Sequence, residues 1–284
     1  MLDAFLDALI DSAKIIPFLF LTYLLMEYLE EKIEEKSKQK LKKAGHAGPI
    51  WGALIGAIPQ CGFSAGAASL YAGRVISVGT LIAVFLSTSD EMLPILITAA
   101  VSPVVILKIL GMKVIIGMVA GILVDFIYVH VLKRKEQEVD IHHFCEHEHC
   151  SCGQGILKPA IKHTLQIAAF IFVISFLLNY IVAIIGLERI SESVLNKPII
   201  GEMLAGLIGL IPNCGASVAI TSLYLNGVMN YGTMMAGLLV SAGVGVMVLI
   251  KVNEDRKQNA VVIALMYGIG VLAGMIINLL GIVV

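Results

Sequence analysis

Long apolar runs fill most of this chain, and they restrict it to folds that lie in a lipid bilayer. A helix needs about 20 apolar residues to cross hydrocarbon about 30 Å thick. Eight stretches meet or approach that length: Leu9–Leu29, Pro49–Gly73, Ser77–Thr98, Val114–Leu132, Thr164–Gly186, Ile199–Asn226, Tyr231–Ile250 and Ala260–Leu280. The sequence therefore predicts an all-α, multi-pass protein of the cell membrane, with the lipid bilayer as its main partner.

The composition supports this prediction and excludes other classes of protein. Hydrophobic residues make up 58% of the chain and charged residues only 14%, whereas soluble domains carry about 25% charged residues. A soluble enzyme, a coiled coil and a disordered protein are excluded on that ground. The net charge of −1 provides no excess of basic residues to neutralise phosphates, so we expect no nucleic-acid partner.

The two halves of the chain resemble each other at a shift of 153 positions. This shift aligns Leu54–Gly62 with Leu207–Gly215, and Ser69–Tyr71 with Ser222–Tyr224, without a gap. A shared Pro-x-Cys-Gly motif in fixed register is more than apolar segments show by chance. We predict a duplication, with a first transmembrane repeat at 1–132, a linker at 133–158 and a second repeat at 159–284.

The orientation of the repeats depends on how the Pro-x-Cys-Gly regions meet the bilayer. If each region is a re-entrant hairpin of two short helices, each half has three full spans, the second half is inverted, and about ten helical segments result. Fifteen of the 20 Lys and Arg residues then lie in the cytoplasm, as the positive-inside rule requires. The other five, Lys14, Lys108, Lys113, Arg189 and Lys197, would lie outside. Full crossings would instead place the basic linker outside. We therefore predict inverted repeats, a cytoplasmic linker and both termini outside.

Paired helix interruptions at the bilayer midplane form the substrate site of many secondary transporters. Pro59 and Pro212 would end the incoming half-helices. Gly62 and Gly215 would permit unusual backbone angles and the close approach of a ligand. Polar residues at the breaks are predicted to contact the substrate, and the two serines also to cap the outgoing half-helices: Gln60, Asn213, Ser64 and Ser217.

Cys61 and Cys214 occupy equivalent positions at the two breaks. At the tips of opposed hairpins, two thiolates would bind a soft metal or a trivalent metalloid. Buried cysteine also packs as a small hydrophobe, so a structural role is the alternative. The repetition at both breaks favours the binding role.

Asp90 and Glu91 lie inside the third apolar stretch, where ionisable residues are costly and usually functional. The corresponding positions of the second repeat carry no acid. We predict that this pair exchanges protons or cations as coupling ions, with solvation near a membrane face as the alternative. Asp125 and Asn278 occupy equivalent positions in the two repeats. This favours a repeated interhelical hydrogen bond over a transport role.

The linker carries a dense cluster of imidazole and thiol groups, which suit zinc, copper, cadmium or cobalt. Its predicted metal-binding residues are His142, His143, Cys145, His147, His149, Cys150 and Cys152. They lie close together with little apolar sequence between them, so we predict a flexible collector or sensor, with a plain spacer as the alternative. No cofactor is required.

Together these motifs identify a family resemblance over essentially the whole chain. The segments Pro59–Ser64 and Pro212–Ser217, the run Ser87–Glu91 and the His/Cys-rich loop resemble those of the ten-helix heavy-metal exporters. Members of that family are often labelled manganese transporters or arsenic efflux proteins. The resemblance implies a metal or metalloid permease. Manganese prefers oxygen ligands, so sulfur and imidazole favour a different metal.

The leading hypothesis is a secondary transporter that exports a thiophilic metal or metalloid ion. A transporter of an oxyanion or a small sulfur compound, held by half-helix N-termini, is the alternative. An intramembrane redox enzyme is a third and more remote hypothesis. Our leading expectation is that the protein is not an enzyme. The sequence is compatible with a homo-oligomer and does not specify the oligomeric state.

Overall fold

The computed structural model describes residues 47–59, 61–89, 92–131, 161–162, 164–173, 176 and 199–282, and eight further positions between residues 9 and 24. All regular structure within these residues is helical. The principal helices are α1 (Gly48–Gly56), α2 (Cys61–Ala72), α3 (Val78–Ser87), α4 (Met92–Thr98), α5 (Pro103–Phe126), α6 (Ile200–Gly209), α7 (Cys214–Leu225), α8 (Tyr231–Val240), α9 (Gly245–Val252) and α10 (Arg256–Leu279). A π-helical turn, Ile127–Val131, extends α5, and Thr164–Val173 is also helical.

The helices confirm the predicted duplication. Helices α2 to α5 begin at residues 61, 78, 92 and 103, and α7 to α10 begin at residues 214, 231, 245 and 256. Each pair differs by the same 153 positions that align the sequence. Each of the ten predicted segments contains described helical residues. The bounds of the linker stay a prediction, because residues 133–158 lie outside the described residues.

Two predicted spans are interrupted, so their prediction as continuous helices is wrong. In the first repeat α3 ends at Ser87 and α4 begins at Met92, and the second repeat breaks at the equivalent place, between α8 and α9. Thr88 leaves the helix with a ψ of 130°. Gly243 adopts a φ of 54°, which L side chains rarely adopt. Hydropathy missed these breaks because it reports the polarity of side chains and not the continuity of the backbone.

Helix α5 begins at Pro103, well before the predicted start at Val114. Proline is favoured at the first turn of a helix because it has no N–H to leave unpaired. Lys108 and Lys113 therefore lie within α5, and their prediction as residues of an outer loop is wrong. These lysines lower the local hydropathy, so the apolar pattern did not predict the first turns of the helix.

Each Pro-x-Cys-Gly region forms a re-entrant hairpin, as predicted. Helix α1 lies along α3 from its beginning, where Gly48 contacts Thr80, to its end, where Gly56 contacts Val84. Helix α2 then leads back through a tight turn at Arg74 directly into α3. The hairpin therefore enters and leaves at the same end of α3. Helices α6 and α8 pack in the same way in the second repeat.

Contacts between the repeats distinguish the inverted arrangement from the parallel one. The Arg74 guanidinium donates a hydrogen bond to Gln258 Oε1 at 3.0 Å, and the Tyr71 hydroxyl donates to the same oxygen at 3.0 Å. Gln258 lies in the first turn of α10, so the turn after α2 and the start of α10 lie on the same face. Inverted repeats place these two segments together, whereas parallel repeats place them on opposite faces.

A repeated hydrogen bond joins the last helix of each repeat to the start of an interrupted span. The N–H of Gly79 donates to Asp125 Oδ1 at 2.8 Å, and the N–H of Gly232 donates to Asn278 Oδ1 at 3.1 Å. Asp125 Oδ2 accepts a further bond from the Ser77 hydroxyl at 2.6 Å. The predicted structural role of this shared position is confirmed.

The interrupted spans occupy the centre of the molecule, and the uninterrupted helices face outward. The most apolar window of Tyr231–Val252 is 94% buried, whereas those of α5 and α10 are 33% buried. Large apolar side chains on the outer faces of α5 and α10 are exposed, including Leu107, Ile115, Leu123, Leu272 and Ile276. A lipid environment accommodates these faces.

Gly121→Ala should destabilise the protein, because a Cβ at Gly121 would lie 2.5 Å from the Gly79 carbonyl oxygen and would separate α5 from α3. We expect a loss of about 1–3 kcal/mol in the free energy of unfolding. Gly111→Ala is the matched control on the same helix, because no atom of the described residues lies within 4 Å of that added Cβ. Thermal unfolding of the purified protein in detergent measures both. Equal stability of the two variants would contradict the close packing described.

The sidedness of three single cysteines tests the inverted arrangement. Arg74→Cys and Gln258→Cys, in a background with the native cysteines replaced by serine, should react with a membrane-impermeant maleimide from the same side. Asn226→Cys, in the turn after α7, should react only from the other side. Labelling of positions 74 and 226 from one side would show that the repeats are parallel.

Candidate functional site

Each hairpin tip lies beside the break in the interrupted span of its own repeat. In the first repeat Gly56, the last residue of α1, packs against Ser87, the last residue of α3. In the second repeat a Cβ at Gly209 would lie 3.3 Å from the Ser241 nitrogen, just after α8. The Pro-x-Cys-Gly segments and the span breaks therefore lie at the same depth within each repeat.

The hairpins also reach across to the opposite repeat. Helix α2 packs against α9, and α7 packs against α4. Ser64, in the first turn of α2, lies so close to Gly245 that a Cβ on this glycine would be 2.8 Å from the Ser64 Cβ. Gly245 begins α9 only four residues after Ser241, which lies beside the second hairpin tip. The two hairpin tips therefore converge on one central region between the repeats.

Buried hydroxyl groups surround this region. Ser87, Thr88 and Ser89 are at most 3% exposed. Their hydroxyls donate to main-chain carbonyls at the end of α3: Ser87 to Ala83 at 2.7 Å, Thr88 to Val84 at 2.7 Å and Ser89 to Ser87 at 3.0 Å. The Val84 carbonyl also accepts the Thr88 N–H at 3.0 Å, so the Ser87 and Thr88 hydroxyls bond to carbonyls within the helical ladder. Ser87 is the last residue of α3, and the Ser89 hydroxyl supplies a donor to its carbonyl, which has no helical partner within the described part of the chain.

Asn213 caps α7, and the predicted capping role of the two serines is wrong. The Asn213 side chain accepts a hydrogen bond from the Gly215 N–H at 3.1 Å, and its backbone is extended, as an N-cap residue requires. Ser64 and Ser217 are each the fourth residue of their helix, too far along to cap it. Both serines, like Asn213, are buried in the central region.

The two glycines of the motif do not adopt unusual backbone angles. Gly62 and Gly215 are the second residues of α2 and α7, and neither has a left-handed φ. A Cβ at Gly215 would meet its nearest neighbours at 3.6 Å or more, which is an ordinary contact. That part of the prediction is wrong, and close approach of a ligand is the remaining reason for a glycine at 215.

Several predicted site residues lie outside what the structure describes. Gln60, Asp90 and Glu91 are outside the described residues. Cys61 and Cys214 begin α2 and α7, but their side chains are likewise outside. So are all seven predicted linker ligands: His142, His143, Cys145, His147, His149, Cys150 and Cys152. Among the described side chains no three His, Cys, Asp or Glu residues form a group that could hold a metal ion.

Lys113 is a buried residue of this region that the sequence analysis missed. Its side chain is 1% exposed, and its ammonium donates hydrogen bonds to the carbonyl oxygen of Thr88 and, at 2.9 Å, to that of Leu238. It therefore contacts the interrupted spans of both repeats. The duplication could have revealed it, because the shift of 153 aligns Lys113 with Met266, inside a predicted span.

Glu202 is also buried, but it lies away from the hairpin tip. It is in the first turn of α6 and 1% exposed. Its Oε1 accepts a hydrogen bond from the Asn278 amide, and Oε2 has no hydrogen-bond partner among the described atoms. Asn278 also binds Gly232, so Glu202 belongs to the start of α8 and not to the central region.

Comparison with known proteins places the chain in a family. Residues 1–184 and 155–282 match the family ArsP_2, described as "Putative, 10TM heavy-metal exporter". A comparison with curated proteins found no match. A comparison with solved structures found none either. Two overlapping matches cover almost the whole chain, and its helices agree with a ten-segment membrane protein. The chain belongs to the ArsP_2 family of membrane transporters.

Proposed function

We propose that the protein is a secondary transporter that exports a thiophilic heavy-metal or metalloid ion, bound where the two hairpin tips converge. The observation that carries this proposal is the meeting of four helix breaks in one buried, hydroxyl-rich region between inverted repeats. Secondary transporters place their substrate at such a junction, because rocking of one repeat against the other alternately opens it to the two sides.

The ligands proposed for the ion are Cys61 and Cys214. Each begins a hairpin helix whose first turn lies in the central region, as the contact between Ser64 and Gly245 indicates for α2. Thiolates are soft ligands and select zinc, cadmium, copper(I) or arsenite over manganese. The auxiliary contacts would come from the neighbouring polar and glycine positions: Gln60, Asn213, Ser64, Ser217, Gly62 and Gly215.

The coupling ion would bind at Asp90 and Glu91. This pair follows Thr88 in the sequence, directly after α3 ends. Carboxylates at that break would exchange a proton or another cation with the substrate. The linker, which we place in the cytoplasm, would collect metal ions for export through its histidines and cysteines, and both termini would lie outside.

An anion is the second candidate substrate, and the helix ends are the observation that favours it. Helices α2 and α7 both begin in the central region, and a helix N-terminus attracts negative charge. An oxyanion or a small sulfur compound would suit such ends. The C-terminal ends of α3 and α8 lie in the same region and oppose that preference, so we favour the cation.

Replacing both motif cysteines tests the proposed function. In proteoliposomes we expect saturable flux of cadmium, zinc or arsenite, and Cys61→Ala/Cys214→Ala should lower it at least tenfold by removing both soft ligands. Cys150→Ala/Cys152→Ala removes the same number of cysteines from the linker and should keep the flux at saturating metal. Equal flux in all three proteins would exclude the motif cysteines as ligands. Phosphate or thiosulfate flux without metal flux would favour the anion transporter.

A methyl group at Gly215 tests whether a ligand approaches the main chain there. Gly215→Ala should keep the stability of the protein, because its Cβ fits at 3.6 Å, but it should lower the flux several-fold by occupying the space of the ligand. Gly111→Ala controls for the added methyl group in open space. Measuring unfolding temperature and flux together separates the two effects. Unchanged flux in Gly215→Ala would place the substrate elsewhere.

A further inference from the structure

The ammonium of Lys113 joins the broken spans of the two repeats. Lys113 is the eleventh of the 24 residues of α5, so it lies near the middle of a helix long enough to cross the bilayer. Thr88 follows the last residue of α3, and Leu238 is in the last turn of α8. One ammonium therefore binds the C-terminal ends of two helices that belong to different repeats.

The ammonium complements the helix ends that it contacts. A helix C-terminus carries a partial negative charge, so both ends attract a cation at this point. The break in the second repeat also frees the Leu238 carbonyl. The N–H of Ala242, which would bond to it in a continuous helix, bonds to Val240 instead at 2.9 Å. Lys113 supplies the missing donor.

Lys113 breaks the symmetry of the duplicated fold. Its equivalent in the second repeat is Met266, which is fully buried. Helices α5 and α10 have the same length and pack in the same way against α3 and α8, so the repeat architecture does not require a lysine at this position. A charged residue at the middle of a bilayer is costly, and its presence in one repeat indicates a function.

We propose that Lys113 is the internal counter-cation of the transport cycle. In one state of the cycle its ammonium binds the two helix ends, as observed here, and holds the repeats in register. When a substrate cation reaches the breaks, its charge replaces that of the ammonium, which withdraws from the carbonyls of Thr88 and Leu238. The empty transporter then returns across the membrane with the ammonium, in place of a substrate ion, at the helix ends. This role rests on the proposed function, since it requires a cationic substrate.

The difference between net transport and exchange tests this role. Proteoliposomes loaded with radiolabelled cadmium are diluted into buffer without metal, which requires the empty transporter to return, or into buffer with unlabelled cadmium, which does not. In Lys113→Gln, which keeps hydrogen-bond donors without the charge, we expect net efflux to fall at least tenfold and exchange to stay within twofold of wild type. Lys108→Gln, on the same helix but exposed, should leave both rates unchanged.

The outcomes separate this inference from the proposed function. Absence of cadmium flux in the wild type would refute cadmium transport, and this role of Lys113 with it. Normal wild-type flux with equal losses of net efflux and exchange in Lys113→Gln, or with no loss, would overturn the counter-cation role alone. If Lys113→Gln fails to fold, the double variant Lys113→Met/Met266→Lys tests the role instead. It moves the ammonium to the equivalent position of the second repeat. Restored net efflux in that variant supports the role, and exchange without net efflux refutes it.

Discussion

Unpaired backbone groups cannot face hydrocarbon, and the central region of this protein depends on that constraint. Each repeat interrupts its helices at the hairpin tip and again within a span. Every interruption leaves carbonyl or N–H groups without helical partners. The fold buries these ends together, and side chains bond to them: the hydroxyl of Ser89, the amide of Asn213 and the ammonium of Lys113. A polar interior thus forms within an apolar protein.

The scaffold is symmetric, but its polar residues are not. Equivalent helices, glycine contacts and the bond that Asp125 or Asn278 accepts recur in both repeats. Lys113 occurs in the first repeat only, and Glu202 in the second only. A symmetric scaffold provides two equivalent conformations that open to opposite sides. Residues that occur once make the two repeats chemically different within that scaffold.

Much of the architecture follows from patterns along the chain. The shift of 153 positions predicted the duplication, and Pro59 and Pro212 predicted the hairpins, because proline and repeated spacing act on the local backbone whatever surrounds them. The distribution of lysine and arginine predicted the inverted orientation, which the bond between Arg74 and Gln258 supports. The shared position of Asp125 and Asn278 likewise indicated an interhelical bond, since polar residues inside the bilayer need a partner.

Contacts between distant segments account for what these patterns missed. Hydropathy assigned Lys113 to a loop, because a lysine in lipid is costly, but two carbonyls that are 25 and 125 residues away in the chain make its burial favourable. Ser64 has the residue type of a cap, yet the helix begins three residues earlier, and Asn213 caps α7 from just before its first residue. Local sequence specifies helices, hairpins and their repetition. The partners of a buried charge depend on which helix ends the packed fold brings together, and no local pattern encodes that meeting.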